Sequence, residues 1–130
     1  MIDKLAWIEI SNKSILSTRS KGKDKYYIPG GKREAGESDA QALLREIKEE
    51  LSVELDAESL NHVGVFTAQA HGHAKGVVVQ MTCYSGKYKG VLQPASEIEE
   101  MAWLNYSDME KISEVDKVIF TYLNQQGLLD

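Results

Sequence analysis

The sequence predicts an α/β fold, a sheet packed between helices, on three observations. Segments of strand character and segments of helical periodicity intermingle along the chain. Two segments, opening at Ser38 and Ser113, combine a helix-start signal with an apolar stripe at helical spacing. A length of 130 residues, 42% hydrophobic and 27% charged, suits one domain over 1–130 with a substantial core.

The elements follow in order. Residues 3–10 and 13–18 read as two strands joined by a tight turn at Ser11-Asn12. A polar loop, Lys21 to Asp24, leads to a short strand at Tyr26-Tyr27-Ile28, cut off by Pro29-Gly30-Gly31. Ser38 with Gln41 forms a capping-box pattern, in which each side chain can satisfy an orphan backbone N–H of the first helical turn. Ala40, Leu43, Leu44, Ile47 and Leu51 then give the first helix one apolar face, ending near Leu51-Ser52. Residues 61–70 and 75–85 read as strands joined by a turn at His71-Gly72-His73. Residues 86–97 form a loop with a short strand at its start, and Met101 to Leu104 a further strand. Ser113 to Gln126 closes the chain as a helix, with Ser113 and Asp116 as a capping box and Val115, Val118, Ile119 and Tyr122 as its stripe.

Composition excludes several classes. No apolar run approaches the roughly 20 residues that span a bilayer, so no membrane association is expected. Met1-Ile2-Asp3-Lys4 lacks the start of a signal peptide, and Cys83 is the single cysteine, so a cytoplasmic location is expected. A net charge of −5 argues against extended nucleic-acid binding. The charge is unevenly spread: Arg19, Lys21, Lys23, Lys25, Lys32 and Arg33 face only Asp24 across 19–33, whereas 34–58 holds nine acids against Arg45 and Lys48. A basic loop leading into an acidic helix suits a ligand that carries phosphates and divalent cations.

Glu46, Glu49 and Glu50 lie three and four residues apart on the first helix, so their carboxylates cluster. On a helical wheel they span about 100° and centre away from the apolar stripe. Like charges so placed cost helix stability, but carboxylate oxygens are the ligands that hard cations prefer.

The spacing around them is more specific. Gly31, five residues, Glu37, seven residues, then Arg45-Glu46-Ile47-Lys48-Glu49-Glu50-Leu51-Ser52-Val53 resembles the Nudix box at every fixed position except Ser52, where glycine is usual. The resemblance implies an α/β/α sandwich around a mixed β-sheet flanked by helices. It implies a Mg²⁺-dependent (or Mn²⁺-dependent) pyrophosphohydrolase acting on a nucleoside diphosphate linked to a group X. Glu46, Glu49 and Glu50 are then the metal ligands, with the backbone carbonyl of Gly30, just before the box glycine Gly31. Arg45 orients a neighbouring glutamate, and Glu37 pairs with Arg45 to brace the loop. The general base is a box glutamate or a later acid; among Glu97, Glu99 and Glu100, Glu97 best matches the family arrangement. Arg19, Lys21, Lys23 and Lys32 are candidates to hold substrate phosphates.

Small nucleotides such as (d)NTPs are the first expectation. The alternatives are ADP-ribose or another sugar nucleotide, a dinucleoside polyphosphate, or a non-catalytic domain that senses a nucleotide. The resemblance leaves homodimerisation open. His71 and His73 read as ordinary turn residues. Glycine at position 52 would end the helix in the left-handed conformation, which serine adopts only at a cost of about 1 kcal/mol. The departure at Ser52 therefore bears on the local turn rather than on activity.

Overall fold

The computed structural model describes residues 1–70 and 72–130. His71, and with it part of the expected His71-Gly72-His73 turn, lies outside the described residues. The chain builds β1 (Ile2–Trp7), β2 (Ile10–Ser11), β3 (Ser14–Ser20), β4 (Gly30–Gly31), α1 (Asp39–Leu51), β5 (Glu54–Leu55), β6 (Asn61–Gln69), β7 (Val78–Ser85), β8 (Tyr88–Lys89), β9 (Ile98–Leu104) and α2 (Glu114–Gln125). Two 3₁₀ turns, Ala57–Ser59 and Tyr106–Lys111, complete the described elements.

The main sheet runs β4-β1-β7-β6, and smaller sheets run β2-β3-β9 and β5-β8. β1 pairs in parallel with β7 but antiparallel with β4, so the main sheet is mixed as expected. Alternation along β1 divides the core between two layers. Leu5 and Trp7 pack with Leu43, Ile47 and Leu51 of α1. Ala6 and Ile8 pack with Ile119, Phe120 and Leu123 of α2. The sheet is therefore flanked by a helix on each face, with every one of these side chains buried.

Several boundaries differ from the sequence reading. The first strand breaks at Ile8-Glu9, and the hairpin turns at Asn12-Lys13, with Ser11 paired to Ser14. Both turn residues have positive φ (51° and 59°), the backbone twist that suits a two-residue hairpin. Tyr26 and Tyr27 make only isolated bridges, to Ile112 and Thr18. Regular pairing comes instead at Gly30–Gly31, where absent side chains let the backbone lie against β1. A Cβ on Gly30 would stand 1.9 Å from the Leu5 carbonyl oxygen, so glycine is required there. β7 starts at Val78 rather than 75, because the Gln69 amide holds the preceding loop, donating to the Ala74 carbonyl (2.8 Å) and accepting from Gly76 N–H (2.9 Å).

The Ser38–Gln41 capping box is formed. Ser52 closes α1 in the left-handed region (φ 64°, ψ 20°), the conformation glycine would adopt there. The second box is not formed: Ser113 caps α2 without a side-chain bond. Asp116 is instead fully buried and accepts the Ile28 N–H (2.8 Å), tying α2 to the segment before β4. Val118 is largely exposed, and Phe120 and Leu123 complete the buried stripe in its place. No described helix is long and apolar enough to cross a membrane.

Candidate active site

Helix α1 does not separate its acids from its core as cleanly as the wheel suggested. Glu50 follows Leu43 by seven residues, about 20° short of two full turns, so it projects beside the buried leucine. It is only 7% exposed. Ala42 is buried as well, which widens the buried face beyond the expected stripe. Of the other acids, the Glu46 side chain is 17% exposed and that of Glu49 54%. The three carboxylates thus form a gradient from core to solvent along one side of the helix.

Glycines make room for them. Gly31 leaves the space that Glu46 occupies, since a Cβ there would stand 2.4 Å from Glu46 Cδ. The Gly30 N–H donates to Glu50 Oε1 (3.2 Å). Arg45 then fixes the exposed side of the cluster. Its Nε and Nη2 each donate to a different Glu37 oxygen at 2.8 Å, its Nη1 donates to Glu46 Oε1 (2.9 Å), and Nη2 also reaches the Lys32 carbonyl (3.1 Å). This bidentate grip, with the Glu34 N–H, holds the Glu37 carboxyl down at about 2.

Glu46 and Glu50 open into a cavity of about 420 Å³ whose wall also includes Gly30, Gly31, Lys4, Lys23, Lys32, Tyr27 and Glu97. The rest of its wall mixes apolar side chains, among them Ile2, Ala70, Val79, Met81 and Val115, with polar Thr18, Ser20, His73 and Ser113. Glu97 sits just before β9, its carbonyl fixed by the Lys21 N–H (2.8 Å). Burial pushes the Glu50 carboxyl up to about 8, with the Glu46 and Glu97 charges adding to the shift against the pull of the Gly30 N–H and Lys4. Burial also raises Glu46. Burial therefore favours the protonated Glu50 carboxyl until a cation takes the proton's place.

The donor chemistry fits a hard divalent cation: buried carboxylate oxygens repel one another around a cradle that a Cβ on Gly31 would fill. Among the described residues no three acidic, histidine or cysteine side chains enclose a metal position by themselves.

The remaining candidates divide. Lys32 and Lys23 line the cavity. Arg19 does not; it bonds Glu99 (2.7 Å), Glu100 (3.1 Å) and the Lys23 carbonyl (3.1 Å), and Tyr26 also donates to Glu100. Its guanidinium joins β3 to β9. Lys21 is exposed and likewise outside the lining, as is Glu49. His73 lies on the cavity wall. Sequence reasoning missed Lys4 and Asp116. Lys4 had a signal: it shares its strand face with Ile2, Ala6 and Ile8, an inward parity that a lysine seldom takes. Asp116 was read as a cap because capping and burial place an acid at the same helical position.

The sequence profile of the NUDIX domain matches residues 5–123. The chain belongs to the Nudix family. Solved structures agree on the fold. The E. coli ORF135 protein superposes with a TM-score of 0.71 at 25% identity, covering 95% of this chain and 91% of that one. The MutT protein from Bacillus halodurans gives 0.71 at 21% identity, covering 93% and 80%. A UDP-X diphosphatase gives 0.68 at 17% identity, covering 97% and 63%. No curated protein matches the sequence. This Nudix chain is accordingly a pyrophosphohydrolase, and its Nudix box is the segment from Gly31 to Val53 that frames the acidic end of the cavity.

Proposed function

We propose that residues 1–130 act as one domain that hydrolyses a phosphoanhydride in nucleoside diphosphate-X compounds, with small nucleotides such as (d)NTPs as substrates. The observation that carries this reading is the cavity itself, whose lining combines Glu46, buried Glu50 and three lysines with apolar side chains such as Ile2 and Val79. A nucleotide has the matching polarity, an anionic chain attached to a flat, largely apolar base.

Glu46, Glu49 and Glu50, with the Gly30 carbonyl, would hold Mg²⁺ or Mn²⁺. Such ions, when bound, neutralise the diphosphate, acidify a water and stabilise charge on the leaving phosphate. The protein's own groups do the rest. The Glu37–Arg45 pair fixes Glu46, and positioning at this level governs rate. Glu97, on the cavity wall beside Glu46 and Glu50, accepts the proton of the attacking water. Lys23 and Lys32 draw the phosphates into the mouth.

The test is a panel of (d)NTPs, sugar nucleotides and dinucleoside polyphosphates, incubated with Mg²⁺ or Mn²⁺ and read by phosphorus NMR. Metal-dependent release of a nucleoside monophosphate, fastest from (d)NTPs, is expected. Faster release from a sugar nucleotide or dinucleoside polyphosphate would reassign the substrate, and no release from any compound would favour a nucleotide-sensing domain.

A further inference from the structure

The register along β1 orders the cavity wall. Ile2 pairs with Val79, Lys4 with Met81, Leu5 with Gly31 and Ala6 with Gly30. The Ile2 and Val79 side chains of the lining precede the Lys4–Met81 row, whereas Gly30 and Gly31 adjoin Glu50 and Glu46. Lys4 thus stands between the two ends, two residues or about 6.6 Å of strand from Ile2 on one side and from Ala6 on the other. Its side chain is half-buried, with Nζ 5.7 Å from the Tyr27 ring centroid. The Lys32 charge repels it while Asp116, Glu50 and Glu46 attract it, yet among the described residues no carboxylate forms an ion pair with it. A partly desolvated ammonium without a direct counter-ion gains most from an anion entering the cavity.

We infer that Lys4 binds the sugar-proximal phosphate of the substrate, the one that stays on the nucleoside monophosphate product. The inference rests on the nucleotide reading of the cavity: with the base against Ile2 and Val79 and the scissile anhydride at the carboxylates, the phosphate next to the sugar passes Lys4. Lys23 and Lys32 meet the distal phosphates from exposed positions, so Lys4 is the cation that distinguishes a nucleotide from its nucleoside.

Calorimetric titration of wild type, Lys4→Met and Lys4→Arg with nucleoside monophosphates and the matching nucleosides, in Mg²⁺, tests this. Wild type is expected to bind the monophosphate more tightly than the nucleoside. Lys4→Met should lose roughly ten- to hundredfold of monophosphate affinity and none for the nucleoside. Lys4→Arg should retain most of the monophosphate affinity. A Lys4→Met protein that binds monophosphate like wild type overturns the assignment, even if its melting temperature has changed. A second measurement needs no variant. The Lys4 Cε–Hε resonance of the wild type should shift with monophosphate but not with nucleoside, and an unmoved resonance overturns the assignment too. If the wild type cleaves no nucleotide and binds neither ligand, the nucleotide reading itself falls; an active wild type with an indifferent Lys4 removes only Lys4.

Discussion

Gly31→Ala should separate the site's geometry from the fold's stability. A methyl group there would stand 2.4 Å from Glu46 Cδ and 2.6 and 2.7 Å from its two carboxylate oxygens. Non-bonded carbon contacts settle at about 3.5–4.0 Å, so the carboxylate must retreat by roughly 1 Å. Gly31 has no positive φ, so alanine is tolerated by its backbone. The atoms that must move are the end of a flexible side chain, which makes the rearrangement cheap for folding. It is not cheap for function, because the retreat pulls Glu46 from its 2.9 Å bond with Arg45 and out of its place beside Glu50. A displacement of about 1 Å at a catalytic group can lower turnover about a hundredfold. Steady-state kcat on the best substrate, measured beside thermal unfolding, checks this. The expected result is that hundredfold loss with a melting temperature lowered by no more than about 5 °C. A kcat within about threefold of wild type would refute the reasoning that Gly31 exists to seat Glu46.

Three further outcomes are expected. Glu97→Gln should cut kcat by about 10²–10⁴-fold; a kcat within about threefold of wild type would eliminate Glu97 as the base. Ser52→Gly should raise stability by about 1 kcal/mol in urea unfolding, since serine holds a left-handed φ of 64° that glycine adopts freely. Asp116→Asn should alter the pH dependence of stability. Burial raises the Asp116 carboxyl from near 3.8 to about 7, against the opposing pulls of the Ile28 N–H, Ser113 and Lys4. The native state therefore holds a proton that the unfolded chain has released, so wild-type stability falls as pH rises from about 4 to about 7 and then levels. The shift corresponds to at most about 4 kcal/mol, and asparagine, which does not titrate, should gain on wild type across that window. Parallel unfolding curves between pH 4 and 8 would show that Asp116 is not buried neutral.

How much of this was legible in the sequence depends on how local each determinant is. The Ser38–Gln41 box and the helix to Leu51 are set by residues a few positions apart, and the chain reads them directly. Glu37 and Arg45 are eight residues apart, yet their contact is implied by the family's box rather than by periodicity. What depended on packing was harder. Leu44 marks one edge of the apolar stripe while Ala42 is buried outside it, which turns Glu50 inward; only the neighbouring layers show that shift. Arg19 has the charge of a phosphate ligand, but Glu99 and Glu100 reach it from a strand some 80 residues away. The weak pairing at Tyr26–Tyr27 and the strand at Gly30–Gly31 invert the propensity order, because closeness to β1 matters more there than β-branched or aromatic side chains.

The most direct test of the central claim is turnover of the best nucleotide by wild type and Glu50→Gln across a Mg²⁺ titration. Glutamine keeps the shape and can still accept the Gly30 N–H, but it cannot supply a buried negative charge to a cation. Wild type is expected to be inactive in chelator and to saturate with Mg²⁺, and Glu50→Gln to stay at least about a thousandfold slower at every concentration. A folded Glu50→Gln protein with wild-type turnover and wild-type Mg²⁺ dependence would contradict the claim that this buried carboxylate helps to hold the metal.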